Sequence, residues 1–258
     1  MASLRGSRRE GVVPAGRSLT WSGNPGVPHN TLVPMRNWIT ARAPEAALLA
    51  IDAPILAPNP PGTAREADRL TTRLFGRYHA GVYPANRKVC ARPIRLSRKL
   101  ARLGFSPDPW LAPGERVRRQ LEFYPHSSLV ALLSLPRIIK YKKGPVASRC
   151  RGLLLLQKAL AKLARLDPSL APSVALRALL STPPSRLAGR SLKRLEDELD
   201  AAFLAYLAAY YWRWGLARSA VLGDLRSGYI LSVLLDPGKD RRAKSRQVLN
   251  VVTFGTPS

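Results

Sequence analysis

Two kinds of apolar block alternate along this chain: short runs of strand length, and longer segments with apolar residues every three or four positions. Residues 46–52 form a short run that ends in an acid, Asp52, and predict a buried strand leading into Ala53-Pro54-Ile55. A Pro- and Gly-rich break at 58–62 precedes a predicted helix over 63–75, with Glu66 and Asp68 early in it. Residues 93–103 predict a second helix in a strongly basic stretch carrying Arg92, Arg95, Arg98, Lys99 and Arg102. A short strand over 119–125 is closed by Pro125, and 127–135 predicts a helix capped by Ser127 or Ser128. A long amphipathic helix follows over 146–166, then a Pro-punctuated stretch at 167–184 with room for a short helix. The most apolar helix spans 191–213. Residues 220–223 and 228–234 predict a terminal hairpin joined by Asp224-Leu225-Arg226-Ser227. Strands mixed with long helices make the fold class α/β.

The chain divides into an irregular basic segment at 1–30, a main domain at 31–235 with a helical insertion at about 62–118, and a basic tail at 236–258. Val12-Val13 is the only strand-like fragment before Pro14, and Val251-Val252-Thr253-Phe254 in the tail has no obvious partner.

Composition adds one large fact. Against 42 Lys and Arg stand 16 Asp and Glu, a net charge of +26 in 258 residues, while 46% of residues are hydrophobic. The chain has enough apolar content for a core, and its positive field attracts polyanions. Nucleic acid, DNA or RNA, is the expected partner, bound in a salt-sensitive way. Cys90 and Cys150 are too few for a disulfide framework and lack zinc spacing, and His29, His79 and His126 form no metalloprotease-like pair. No signal peptide is expected, and the uncharged run over 201–212 is shorter than the ~20 residues a membrane helix needs. The expected place is the cytoplasm, with no membrane partner.

The scarce acids are where chemistry concentrates. Asp197 and Asp200 lie three residues apart on the late helix, about 60° apart around its axis. The same face continues through Leu204, Leu207 and Tyr211, so both carboxylates point inward and call for an arginine or a metal ion. Glu196 and Glu198 read as acids that favour the helix dipole, with Ser191 or Asp197 as a candidate N-cap. Asp52 at a strand end and Glu122 beside another complete a set that can gather two divalent cations for phosphodiester hydrolysis. Mg2+ or Mn2+ suits such oxygen ligands. Lys140, Lys142, Lys143, Arg149 and Arg151 are the densest nearby cations for a phosphate backbone.

Ile51-Asp52-Ala53-Pro54-Ile55, Glu122-Phe123-Tyr124-Pro125, Lys140-Tyr141-Lys142-Lys143-Gly144, Asp197-x-x-Asp200-Ala201-Ala202 and Gly223-Asp224-x-x-x-Gly228-Tyr229-Ile230 occur in that order. Together they resemble the domain-of-unknown-function 429 family of predicted RNase-H-like nucleases, over about residues 46–234. The resemblance implies a mixed five-stranded sheet with helices on both faces and a metal-dependent carboxylate site at one edge. It implies Asp52, Glu122 and Asp200 as site acids, with Asp197 a near neighbour. Ser18 stands where the family opening carries an Asp, and His126 where an acid often follows the Glu-Phe-Tyr-Pro motif. Serine is a poor metal ligand and histidine shifts preference toward softer ions.

Two readings follow. One is a metal-dependent nuclease, with Asp52, Glu122 and Asp200 catalytic and Asp52, Glu122, Asp197 and Asp200 holding the metal. The alternative is a catalytically impaired nucleic-acid-binding protein on the same fold. A phosphotransferase is disfavoured because no Gly-rich, Asp-led phosphate loop follows the first strand.

Overall fold

The computed structural model describes residues 39–41, 43, 45–171 and 173–235. Ser18, the 1–30 segment, Val12-Val13, His29 and the 236–258 tail lie outside the described residues. The described chain is α/β and forms two compact units, one built on Ile139–Arg213 and the other on Leu48–Ile138 together with residues 214–235.

The second unit holds the strands: β1 (Ala47–Ile51), β2 (Arg118–Glu122), β3 (Ser219–Asp224) and β4 (Gly228–Val233). β1 pairs with β2, and β3 pairs antiparallel with β4 in a register that sets Leu222 opposite Ile230. These are two separate two-stranded sheets, with one isolated parallel bridge from Phe123 to Leu231 between them, so the mixed five-stranded sheet implied by the resemblance is not seen among the described residues. The predicted insertion supplies α1 (Glu66–Phe75) and α2 (Ala91–Ala101). α3 (Pro125–Leu133) starts at the proline that ends the Glu122 motif, where a missing N–H costs nothing. β4 is buried along its whole length, consistent with an apolar run rather than alternation.

The first unit contains α4 (Val146–Lys162), α5 (Val174–Ser181) and α6 (Gly189–Trp214). α6 begins at Gly189, earlier than the sequence suggests, so no acid lies in its first turn. The Ser191 hydroxyl instead donates to the Ala188 carbonyl, and Asp197 stands well inside the helix. The buried stripe of α6 runs through Leu192, Leu195, Leu199, Phe203 and Tyr206. Glu196 lies on that stripe and is buried, while Asp197, Asp200 and Leu204 flank it half-buried. The dipole role expected of Glu196 is therefore replaced by burial, because the helix starts two turns before it.

Among the described residues no helix is long and apolar enough to cross a membrane. Cys90 is buried, Cys150 is half-buried, and both are free thiols.

Candidate functional site

The family-like motifs resolve into two constellations, one in each unit. In the second unit the chain leaves β1 at exposed Asp52, passes Ala53-Pro54, and turns the Ile55 N–H toward Glu122. Glu122 ends β2 and is 3% exposed. Its Oε2 accepts from Ile55 N at 3.0 Å and from Arg65 Nη1 at 2.9 Å, and its Oε1 accepts from Arg65 Nη2 at 2.7 Å.

Arg65, at the N-cap of α1, is equally buried. Besides Glu122 it donates to the Leu56 carbonyl through Nη1 and to Asp68 Oδ1 through Nε and Nη2. Its five guanidinium N–H groups are thereby all used. Asp68 in turn accepts the Arg65 and Ala85 backbone N–H groups on Oδ2, which fastens the start of α1 to the loop before α2. Gly228, at φ 94°, completes the cradle: a Cβ there would collide with the Leu56 carbonyl oxygen and come within 2.9 Å of Arg65 Cδ. That close approach explains the glycine in the Gly223–Ile230 motif.

One guanidinium shared by two carboxylates leaves a net negative charge in a dry place. Burial pushes the Glu122 carboxyl up to about 7, against the pull of Arg65 and its hydrogen bonds. Burial also works against the charge on Arg65, yet the attraction of Glu122 and Asp68 outweighs it and raises that group further. Burial is the largest cause of the rise at Glu122, and the nearby Asp68 carboxylate adds to it. Breaking a buried pair of this kind costs about 3–5 kcal/mol.

In the first unit the Lys140–Gly144 segment lies against α4 at Gly152. A Cβ on Gly152 would strike the Lys140 carbonyl oxygen and stand 2.8 Å from Tyr141 Cα. This approach presents buried Tyr141, whose hydroxyl donates to Asp200 Oδ1 at 2.7 Å, and Lys142, whose Nζ meets Asp200 Oδ2 at 3.0 Å. One turn earlier, Lys193 Nζ reaches Asp197 Oδ1 at 2.6 Å and Glu196 Oε1 at 2.8 Å. Arg149 Nη2 takes the other oxygen of Glu196 at 3.2 Å. Burial opposes the Lys193 charge, but its bonds to Asp197 and Glu196 prevail and raise it.

The cation expected opposite the late-helix acids is thus a lysine, and the cation expected by Glu122 is an arginine. Within either unit, among the described residues, no group of three His, Cys, Asp or Glu side chains is placed to hold a metal ion. Both Glu122 oxygens are occupied by strong donors, and each Asp200 oxygen has one. These donor sets fit the cations they hold and do not fit a resident Mg2+ or Mn2+. Asp52 is exposed at the end of β1, and His126 packs edge-on against Tyr124 with ring centroids 5.5 Å apart.

Of the five candidate phosphate contacts, Lys142 and Arg149 are committed to carboxylates, while Lys140, Lys143 and Arg151 are exposed. Sequence reasoning missed Arg65, Asp68 and Tyr141. The Arg65-x-x-Asp68 spacing after Pro60-Pro61-Gly62 is a capping pattern that could have flagged the first two, although arginine is not an N-cap residue type. No curated protein and no solved structure matches the chain. A family model described as Protein of unknown function (DUF429) matches residues 19–221, and the chain belongs to that family.

Proposed function

We propose that the protein binds the phosphate backbone of nucleic acid on an RNase-H-like scaffold whose carboxylate site is catalytically impaired. The observation that carries this reading lies within the first unit, where Asp197 and Asp200 are paired with Lys193 and Lys142 while Lys140, Lys143 and Arg151 are exposed on and next to a segment held against α4; in the second unit Glu122 is likewise taken by Arg65. With 42 Lys and Arg against 16 Asp and Glu, the acids can neutralise only a minority of the cations, and the remaining positive charge favours a polyanionic partner. The α/β character, with helices after β1 and β2 and a parallel bridge from Phe123 to Leu231, is compatible with an RNase-H-like scaffold. The free thiols suit the reducing cytoplasm.

Metal-dependent phosphodiester hydrolysis is the second reading. It is favoured by exposed Asp52 and by the part-exposed Lys142 side chain, which can swing away from Asp200. One experiment separates the two: binding and cleavage of labelled DNA and RNA, with Mg2+, Mn2+ or EDTA, across a salt series. The binding reading expects affinity that falls steeply with salt, ignores EDTA and leaves the strand intact. Cleavage that requires Mg2+ or Mn2+ and disappears in Asp200→Ala selects the nuclease. Absence of affinity at low salt sinks both.

A further inference from the structure

Three cations of α2, Arg95, Arg98 and Lys99, and Arg102 at its C-cap are used by neither constellation. Arg95, Arg98 and Arg102 are exposed and Lys99 is half-exposed. At ~100° per residue, the four fall within an arc of about 100°, centred opposite the helix's buried residues Leu96, Ser97 and Leu100. Over these seven steps the helix rises ~10 Å. No acid occurs between residues 87 and 107, and no ion pair or hydrogen bond of these four side chains is found among the described residues. Arg87 and Lys88, both exposed, extend the positive charge into the turn before α2.

An uncompensated cationic face of this length repels itself and is stabilised by a linear polyanion. We infer that the exposed face of α2 is a docking surface for a nucleic-acid backbone, an inference that rests on the reading above and adds a surface to it. Each strand of duplex DNA presents one phosphate per ~3.4 Å of axis, so a cationic face ~10 Å long spans about three phosphates of one strand. An anionic membrane is the poorer fit, because an interfacial helix must insert an apolar face and here Leu96 and Leu100 are buried in the unit.

The test uses the full chain with Arg95→Gln, Arg98→Gln, Lys99→Gln and Arg102→Gln combined. Binding of a short labelled duplex DNA and of a single-stranded RNA is followed between about 50 and 200 mM salt. The variant is expected to bind more weakly, with a log–log salt slope shallower by about 3, since each lost phosphate contact removes about 0.7–0.9. An unchanged slope in this variant, while Lys140→Gln with Lys143→Gln weakens binding, overturns the inference and leaves the proposed function standing. No affinity in the unaltered chain overturns both. Binding of vesicles containing phosphatidylserine that depends on these four residues, without nucleic-acid affinity, overturns it in favour of a membrane. If the combined variant fails to fold, Arg98→Gln alone is expected to lower the slope by about 0.9 on duplex DNA, and no change there overturns the inference.

Discussion

Arg65 ends with every guanidinium N–H taken, and Glu122 with both oxygens, so the pair behaves as a fixture rather than a reagent. Its electrostatics make a directional prediction. The Glu122 carboxyl is raised by burial to about 7 from an ordinary 4.5. The folded state therefore holds this proton more tightly than the unfolded chain does. The resulting stability is fully present below about 4.5, declines as pH rises, and is lost through about 7. Urea unfolding midpoints at a series of pH values should show this decline in the parent chain. Glu122→Gln, which cannot titrate, should show a flatter profile over that window, and equal slopes in the two proteins would refute the assignment. A carboxyl that must part with Arg65 before it can meet a metal explains why the same residue, promising as a ligand by type and position, is weak as one in place.

At the scale of elements, the Lys140–Gly144 segment depends on α4 having no side chain at position 152. Gly152→Ala should force the backbone of Lys140 and Tyr141 away from the helix, because the obstruction is main chain rather than a flexible side chain. Overpacking of this kind costs about 1–3 kcal/mol. The expected result is a lower thermal midpoint together with weaker nucleic-acid binding, because the Tyr141 and Lys142 contacts to Asp200 go with the segment. A variant as stable and as tightly bound as the parent would show that the segment has another way to sit. The strand, helix and hairpin order was legible from periodicity alone: β3 and β4 fall where the apolar runs place them, and α4 and α6 differ mainly at their ends. The start of α6 was not legible, since Gly189 opens the helix and the apolar pattern begins later. Glu196, expected as a solvated acid favouring the helix dipole, is instead buried on the inner stripe of α6.

For the whole molecule, the charge of +26 sets the balance. Salt weakens individual ion pairs such as Lys193 with Asp197, but a partly exposed pair is worth only about 0–1 kcal/mol. Self-repulsion among many unpaired cations acts over the Debye length, ~30 Å at 0.01 M and ~8 Å at 0.15 M. The urea midpoint should therefore rise with NaCl between these concentrations, and a fall would mean that ion pairs outweigh repulsion. A short polyanion should give the same gain at far lower concentration, because binding to the folded state alone adds to its stability.

By itself the sequence determined the α/β class, the order of elements, the family, the net charge of +26 and the list of acids worth attention. Those depend on local periodicity and composition, which a chain carries in one dimension. What met each acid was decided only by tertiary structure. Arg65 lies 57 residues from Glu122, and Tyr141 lies 59 from Asp200. Burial makes a counter-charge obligatory but does not choose it. Packing chose it, through Gly228 beside Arg65 and Gly152 beside Lys140, where the missing side chains let a particular cation reach its carboxylate.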